Sequence, residues 1–192
     1  MKAFTLVELL VSIAIFTVIT TIAVVNNSQF NSSILLTNLA YEIGLSIRQA
    51  QVYGITVKQT SLDPTKFNSG YGIHFDLTAD SKSYILFEDS KLSGGEVDHE
   101  YGSGDTDIET FRIQKGNSIS NIYINGANRS DVDITFLRPN PNAYIKYAEG
   151  GNNYYSTAEI CIKSPQGTMR KVVVESTGQL SVVADDMTNC NN

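Results

Sequence analysis

The N-terminal apolar run constrains this chain more than any other feature. From Phe4 to Val25 the sequence reads FTLVELLVSIAIFTVITTIAVV, which contains one charged residue, Glu8, and neither Gly nor Pro. A helix of this length extends for roughly 33 Å at about 1.5 Å per residue, and the hydrocarbon core of a bilayer is about 30 Å thick. The run therefore predicts one membrane-spanning helix.

The flanks of the run predict its topology. A secretory signal peptide has a shorter apolar core of roughly 7–15 residues and then a small-residue cleavage site, whereas here the polar residues 26–29 follow directly. Lys2 and the α-amino group make the N-terminal end cationic, and cationic flanks stay in the cytoplasm. We therefore expect a single pass through the cytoplasmic (inner) membrane, with the C-terminal part outside.

The remainder of the chain divides by periodicity. After the polar break apolar residues recur at helical spacing, and Gly54 is placed where this helical segment is expected to end. From Gly70 onward apolar and polar residues alternate, which is typical of half-buried strands. We predict a transmembrane and assembly helix at 4–25, its amphipathic continuation at 26–57 and one β-rich globular domain at 58–192. The apolar stripe of the continuation consists of Leu36, Leu39, Ala40, Ile43, Ile47, Ala50 and Val57.

A long helix followed only by strands is typical of the α+β class. We predict an antiparallel β-sheet domain packed on the second half of the helix, with a last hairpin that turns at Thr177-Gly178. The predicted strands are residues 71–77, 84–87, 108–113, 119–124, 132–137, 144–147, 160–162 and 170–175.

Glu8 is the exceptional residue of the apolar run. A carboxylate inside such a segment costs a few kcal/mol and is usually retained because it meets a partner. One interpretation is that Glu8 lies close enough to the membrane end to reach water or lipid headgroups. The other is that it pairs with a cation within apolar surroundings, and the neighbouring residues favour this second interpretation.

The residues Ala3-Phe4-Thr5-Leu6-Val7-Glu8-Leu9-Leu10 resemble the prepilin processing motif of type IV pilins and type II secretion pseudopilins. The resemblance implies that a prepilin peptidase removes the leader 1–3 by cutting between Ala3 and Phe4, and that Phe4 is then methylated. It also implies that Glu8 is the glutamate on which assembly depends. Ala3 stands where the family usually has Gly, and the leader is shorter than most.

This resemblance implies a structural subunit and not an enzyme. The Glu8 carboxylate of one subunit is expected to pair with the Phe4 ammonium of its neighbour. Because both charges are costly when unpaired in apolar surroundings, the pairing rewards one axial register. The implied partners are other pilin or pseudopilin subunits, the prepilin peptidase, an inner-membrane assembly platform and, before assembly, membrane lipid. The implied destination is a pilus or a pseudopilus.

A second, shorter resemblance narrows the expected role. Residues 41–53, YEIGLSIRQAQVY, and the late segment VVVESTGQLSV look like those of GspH/FimT-type minor pilins and pseudopilins. Many major pilins carry Pro or Gly in the membrane half of the helix, and this chain has neither between Phe4 and Val25. Both observations favour a minor subunit.

Two alternative functions stay open at this point. Some FimT-type minor pilins bind DNA through arginines that follow a late glycine, which makes DNA uptake the first alternative. Here residues 179–181 after Gly178 contain no arginine, and Asp185 and Asp186 follow them. Because acidic residues repel phosphate and the chain has a net charge of -6, nucleic acid is not an expected partner. The second alternative is a membrane-anchored adhesin that never polymerises.

Catalytic and metal-binding patterns are weak. His74 is expected on the polar face of a strand and His99 in an acidic loop, and phosphate loops, nucleophile elbows and dinucleotide fingerprints are absent. We therefore expect no catalysis and no cofactor. The acidic loop 96–109 contains Asp105-x-Asp107-x-Glu109, whose alternating oxygen atoms would suit Ca²⁺, but the positions that follow do not fit an EF-hand. A solvated loop before a strand is the favoured interpretation.

The cysteines Cys161 and Cys190 are the only two in the chain. In a cytosolic protein they would be free thiols, whereas in an exported domain they are expected to form a disulfide. Such a bond would close a loop of about 30 residues and stabilise the domain by roughly 3–4 kcal/mol on the chain-entropy model.

Overall fold

The computed structural model describes residues 5–56, 69–90 and 97–184 together with Cys190. One helix and ten strands lie within these ranges. Their bounds are α1 (Leu6–Ile55), β1 (Gly70–Asp76), β2 (Ser83–Asp89), β3 (Thr106–Arg112), β4 (Ser118–Ile124), β5 (Ala127–Arg129), β6 (Asp131–Phe136), β7 (Ala143–Lys146), β8 (Thr157–Lys163), β9 (Met169–Glu175) and β10 (Leu180–Ala184).

The helix α1 begins in the apolar run and ends inside the globular domain. Its 50 residues extend for about 75 Å at the usual rise per residue. No proline interrupts it, and the side chain of Thr5 caps its first turn. The membrane segment and the amphipathic segment are therefore one continuous element.

The strands form two five-stranded antiparallel sheets. The first sheet has the order β3-β2-β1-β6-β7, and the second has the order β10-β9-β8-β4-β5. These sheets confirm the predicted α+β class with an antiparallel domain on the second half of the helix, and they show that the domain contains two sheets where one was expected. The sequence pattern does not predict β5, because a strand of three residues is too short to show alternation.

The apolar stripe of α1 faces the core as predicted. Leu36, Ala40, Ile43 and Ala50 are completely buried. The helix contacts β1 and β6 of the first sheet and β8, β9 and β10 of the second, so it contributes to one core shared by both sheets. Val57, the last predicted member of the stripe, lies outside the described residues, and the domain boundary at 57/58 stays a prediction.

Gly54 determines how closely the helix approaches the first sheet. A Cβ atom at this position would lie 2.5 Å from the carbonyl oxygen of Phe136, a distance that real Cβ atoms do not adopt. Any larger residue would therefore push the helix away from the sheet. The helix continues one residue beyond Gly54 and ends at Ile55, so the expected end position is correct to within one residue.

The two faces of the first sheet differ in polarity. Ile73 and Phe75 of β1 point into the core, and Ile73 pairs in register with the buried Ile134 of β6. His74, between them, lies on the opposite face and pairs with Asp133. This outer face carries a cluster of ionisable residues beneath the segment 97–105.

Candidate assembly site

The start of α1 is organised by a reciprocal contact between Thr5 and Glu8. The Glu8 amide donates to Thr5 Oγ1 at 3.3 Å, while the Thr5 amide and hydroxyl donate to Glu8 Oε2 at 3.0 and 2.8 Å. This arrangement is a capping box, which satisfies amide groups that have no partner within the helix.

The capping box gives Glu8 a role that is additional to its predicted pairing with a neighbouring subunit. The pattern Thr-x-x-Glu before an apolar run is a recognised signal for such a cap, and Thr5-Leu6-Val7-Glu8 contains it. In the single chain the carboxylate is therefore occupied by its own helix terminus. Ala3 and Phe4, between which cleavage is expected, lie outside the described residues.

The first part of α1 packs against no other element among the residues that the structure describes. Residues 6–23 are all exposed, and Leu6, Phe16 and Ile19 are 78%, 71% and 61% accessible. The segment Leu6–Ala23 is long and apolar enough to cross a membrane. An apolar surface this large is expected to be covered by lipid or by other protein.

The hydroxyl groups of this segment are satisfied internally. Ser12, Thr17, Thr20 and Thr21 each donate to the carbonyl oxygen four residues earlier, at distances of 2.7 to 2.8 Å. Such bonds need no water, which suits a helix in hydrocarbon. The one ionisable side chain among residues 6–23 is that of Glu8.

The second part of α1 also has an exposed apolar face, opposite the buried stripe. Tyr41, Leu45 and Val52 are 58%, 70% and 48% accessible. They recur at intervals of four and seven residues, so they lie on one side of the helix. The exposed apolar surface of the first part thus continues along the domain.

The cysteines form a disulfide at the end of the domain. The sulfur atoms of Cys161 and Cys190 are bonded, with their Cα atoms 6.0 Å apart. Both residues are completely buried and pack against Tyr123 and Met169. The bond therefore attaches the C-terminal tail to β8 in the second sheet.

Asp89 and His99 form the centre of the ionisable cluster. The Asp89 side chain is fully buried, its Oδ2 accepts from the His99 amide at 3.1 Å, and its Oδ1 has no hydrogen-bond partner among the described residues. Burial, with the nearby charges of Asp105 and Asp98, raises the pKa of Asp89 to about 8. Burial, with Lys146 nearby, lowers the pKa of His99 to about 4. At pH 7 the two side chains are therefore a carboxylic acid and a neutral imidazole.

Neighbouring contacts hold the segment 97–105 against the sheet. The His99 ring stacks on Tyr144 with centroids 4.0 Å apart, and its Nδ1 lies 2.9 Å from Thr135 Oγ1. Lys146 Nζ donates to the Asp98 carbonyl oxygen at 3.0 Å and lies 2.5 Å from Glu100 Oε1. The cluster is thus a packed structural contact, which sequence reasoning could not find because burial of polar residues depends on tertiary structure.

Two carboxylates of the acidic loop, those of Asp105 and Asp107, accept hydrogen bonds from the protein. The carboxylate of Asp105 accepts from the amides of Ser90 and Gly102, both at 2.8 Å, and Asp107 accepts from the Tyr101 hydroxyl at 2.8 Å. Asp107 and Glu109 lie in the exposed strand β3. Within the part of the chain that the structure describes, no three His, Cys, Asp or Glu residues are grouped as metal ligands would be.

The segment considered for DNA binding is used for packing. The Gly178 carbonyl oxygen accepts from Gln51 Nε2 at 3.3 Å, and Leu180 begins β10 against the helix. The nearest cations make contacts of their own, since Arg170 donates to Ser33 at 3.4 Å and Lys171 to Glu159 at 2.9 Å. Asp185 and Asp186 lie outside the described residues.

Comparison with known proteins bears on the N-terminal segment. Residues 1–24 match the prokaryotic N-terminal methylation motif. Comparisons with curated proteins and with solved structures give no significant match. The matched motif covers the expected cleavage site, Glu8 and the exposed apolar helix, and such motifs direct prepilin processing and membrane anchoring before assembly. The match therefore supports a type IV pilin-like or pseudopilin-like subunit.

Proposed function

We propose that the chain is a minor structural subunit of a type IV pilus or of a type II secretion-like filament. The observation that carries this proposal is the methylation motif at residues 1–24, which includes the exposed and predominantly apolar helical segment Leu6–Ala23. Cleavage between Ala3 and Phe4 removes the leader, Phe4 is N-methylated, and the helix stays in the inner membrane until assembly. The globular domain lies outside the cytoplasm.

Assembly exchanges one set of contacts of the apolar helix for another. Before assembly lipid covers the exposed face of residues 6–23, and in the filament other helices cover it. The GspH/FimT-like segments and the unbroken membrane half of α1 support a minor subunit. The partners are other pilin-like subunits, the prepilin peptidase and the assembly platform.

Glu8 has two roles in this mechanism. In the isolated subunit its carboxylate caps α1 through Thr5. In the filament it pairs with the Phe4 ammonium of the neighbouring subunit, and the shared apolar environment makes an unpaired charge costly. The cap keeps the carboxylate partly satisfied until the neighbour arrives.

The processing step is tested by mass spectrometry of the protein from cells with an active prepilin peptidase. The N-terminal peptide is expected to begin at Phe4 and to carry one methyl group. A Met1 terminus in those cells would contradict the proposal and would favour an anchored adhesin. Cells that lack the peptidase serve as the control and should retain the leader 1–3.

The role of Glu8 is tested by two variants that separate charge from capping. Glu8→Gln keeps a capping side chain, because Gln also occurs at this position of a capping box, but it removes the charge. Glu8→Ala removes both. Both variants should insert in the membrane, and both should fail to enter filaments in a strain without the native copy. Normal assembly of Glu8→Gln would show that the charge is not needed.

A further inference from the structure

The outer strands of the two sheets, β3, β7, β5 and β10, differ in how their edges are protected. β3 carries Asp107, Glu109 and Arg112, and its pairing with β2 contains a register irregularity. β5 has only three residues. β10 contains no charged residue, Pro or Gly, and its five residues pair with β9 in continuous register. Because charges, bulges and short length are the usual protection against strand addition, β10 lacks the protection of β3 and β5.

The remaining outer strand, β7, is covered by other parts of the chain. Its Ala143 amide donates to the Ser176 carbonyl oxygen at 3.0 Å, and its Ile145 carbonyl oxygen accepts from the Tyr155 amide at 3.1 Å. Among the described residues, no such bond reaches the outer side of β10. Cys190, the last described residue, is held over β8 by its disulfide, two strands inward from β10. Within the part of the chain that the structure describes, β10 is therefore the open and unprotected sheet edge.

The backbone groups of Leu180 and Val182 point away from β9. The Glu175 amide donates to the Gln179 carbonyl oxygen at 2.9 Å, so these two residues form a hydrogen-bonded pair. Such pairs alternate with non-hydrogen-bonded pairs along an antiparallel ladder. Leu180 and Val182 therefore belong to non-hydrogen-bonded pairs and direct their N–H and C=O groups outward. Backbone groups with this regular spacing are best satisfied by another extended strand.

The side chains of the same two residues line an incomplete part of the core. Leu180 and Val182 pack against the core but are only partly buried, whereas their partners in β9, Val174 and Val172, are completely buried. The difference arises because β9 has a strand on both sides and β10 has one on one side only. A further strand beside β10 would complete their burial if it carried apolar side chains on its core-facing side.

The helix α1 borders this incomplete part of the core. A Cβ atom at Gly44 would lie 3.1 Å from the Leu180 side chain, so the helix approaches β10 closely. Tyr41 and Arg48, three residues before and four after Gly44, are its neighbours on the helix surface, and both are exposed. An added strand would therefore lie between the edge of β10 and the Tyr41 ring. We refer to the outer edge of β10 together with Leu180, Val182 and Tyr41 as the strand-acceptor surface.

β10 runs antiparallel to α1. The turn before β10 lies near the end of the helix, where Gln51 Nε2 donates to the Gly178 carbonyl oxygen at 3.3 Å. Its last residue, Ala184, pairs in register with Arg170, which donates to Ser33 of the helix at 3.4 Å. The open edge is therefore roughly aligned with the helix axis.

This alignment argues against a second copy as the occupant. Two copies could pair their β10 edges as antiparallel strands about a twofold axis perpendicular to the sheet. Because β10 and α1 are aligned, that axis would also reverse the helix, and the two membrane segments would point in opposite directions. Subunits anchored in one membrane with the same topology have parallel helices. The occupant that fits is therefore a strand of a non-identical protein.

We propose that the strand-acceptor surface binds an extended strand of a different pilin-like subunit, which extends the second sheet beyond β10. This inference rests on the proposed function, because it requires a filament that contains non-identical subunits. The partner strand presents apolar side chains at alternate positions to Leu180, Val182 and Tyr41, and polar side chains to solvent. In such an interface backbone hydrogen bonds give affinity and the alternate side chains give specificity, so a minor subunit obtains a fixed place beside one neighbour.

The first test is photochemical cross-linking of the full chain in cells that assemble the filament. Benzoylphenylalanine replaces Ser181, an exposed residue of β10 whose side chain faces away from the core, and in a control it replaces the exposed Thr110 of β3. We expect Ser181 to cross-link to an extended segment of a non-identical pilin-like subunit, identified by peptide mass spectrometry, and Thr110 to give no such product. A product with another copy of the chain, or equal products from both positions, would overturn the proposal.

Two variants of Val182 test the backbone contact. Val182→Pro removes an N–H group that faces outward, so the bonds between β10 and β9 are retained. Val182→Thr keeps the N–H group and nearly the same shape. Cross-linking from Ser181 should fall by about tenfold or more in Val182→Pro, because proline cannot donate and its ring blocks the partner, and should stay unchanged in Val182→Thr. Equal cross-linking in the two variants would contradict strand pairing.

Amide exchange of the wild-type chain gives a test that does not depend on the folding of a variant. The amides of Leu180 and Val182 should exchange about tenfold or more slowly in filaments than in the detergent-solubilised subunit. The same exchange rate in both states would overturn the proposal. Presence of the chain in filaments without cross-linking from Ser181 would overturn this inference alone. Absence of the wild-type chain from filaments would contradict the proposed function, and the inference with it.

Discussion

The two halves of α1 have opposite environments. In the first half, residues 6–23, every side chain is exposed, whereas in the second half Leu36, Ala40, Ile43 and Ala50 are completely buried. The first half is apolar on all sides, and the second half is apolar on a buried stripe and on a narrower exposed face. The distribution of apolar residues around the helix therefore indicates which half the chain covers by itself.

Matched isoleucine replacements should show the difference between the two halves of α1 most clearly. Ile43→Ala removes a completely buried side chain and should lower the free energy of unfolding of the domain by about 3–4 kcal/mol. Ile13→Ala removes a side chain that is 57% exposed, and it should leave domain unfolding unchanged within about 0.5 kcal/mol. Urea titration of the full chain in detergent measures both. A similar loss in the two variants would show that the halves fold as one unit.

Removal of the disulfide should weaken the domain and leave the membrane half intact. The bond closes a loop with a sequence separation of 29, so Cys161→Ala with Cys190→Ala should cost about 3 kcal/mol of domain stability. Membrane insertion should not change, because no part of the bond contacts residues 6–23. Unfolding of the wild-type protein with and without reductant is the control, and reductant should have no effect on the double variant.

The pH dependence of stability should come from the domain through Asp89 and His99. The pKa of Asp89 is raised to about 8 from its usual 3.8, so the folded state holds a proton that the unfolded chain releases, and stability falls as pH rises through this window. The pKa of His99 is lowered to about 4 from 6.5, so stability falls as pH drops below about 6.5. The two effects oppose each other between about pH 4 and 6.5.

A decline in stability is therefore expected between about pH 6.5 and 8, where the raised pKa of Asp89 acts and the lowered pKa of His99 no longer opposes it. Asp89→Asn has nearly the same shape without the titrating proton, and its stability should stay level over this range. Thermal unfolding of both proteins at several pH values measures the difference. An equal decline in the variant would assign the effect to other groups.

Loss of the helix cap should have the smallest effect. Thr5→Ala removes the hydroxyl of the capping box and should cost about 1 kcal/mol, confined to the first turn of α1. Amide exchange of the first turn should accelerate in detergent micelles, while the midpoint of domain unfolding stays the same. A change in that midpoint would mean that the membrane half transmits strain to the domain.

The sequence predicts the local elements better than their arrangement. The helical stripe from Leu36 to Ala50 and most strands follow from periodicity, because each residue's exposure alternates within its own element. The partition of the strands into two sheets depends on pairings between distant segments, such as β1 with β6 and β4 with β8. Periodicity carries no information about such pairings.

The features of the candidate site are likewise only partly predictable from the sequence. The motif around Glu8 is visible in the sequence, and so is the Thr-x-x-Glu pattern of its cap. The structure shows that the second pattern forms a capping box. The buried pair of Asp89 and His99 could not be predicted, because neither residue has a local pattern that indicates burial. The segment 97–105 and the strands β6 and β7 create that environment only after folding.

The packing of α1 against β10 has a consequence for the order of events during export. The helix precedes the described strands in the sequence and β10 follows the other nine, yet Gly44 of the helix faces Leu180 and Val182 of β10. If the domain is exported as proposed, its core cannot close until β10 has crossed the membrane. A subunit stalled before residue 180 would therefore be anchored through its helix while its stripe from Leu36 to Ala50 remained partly uncovered and available to quality-control proteases.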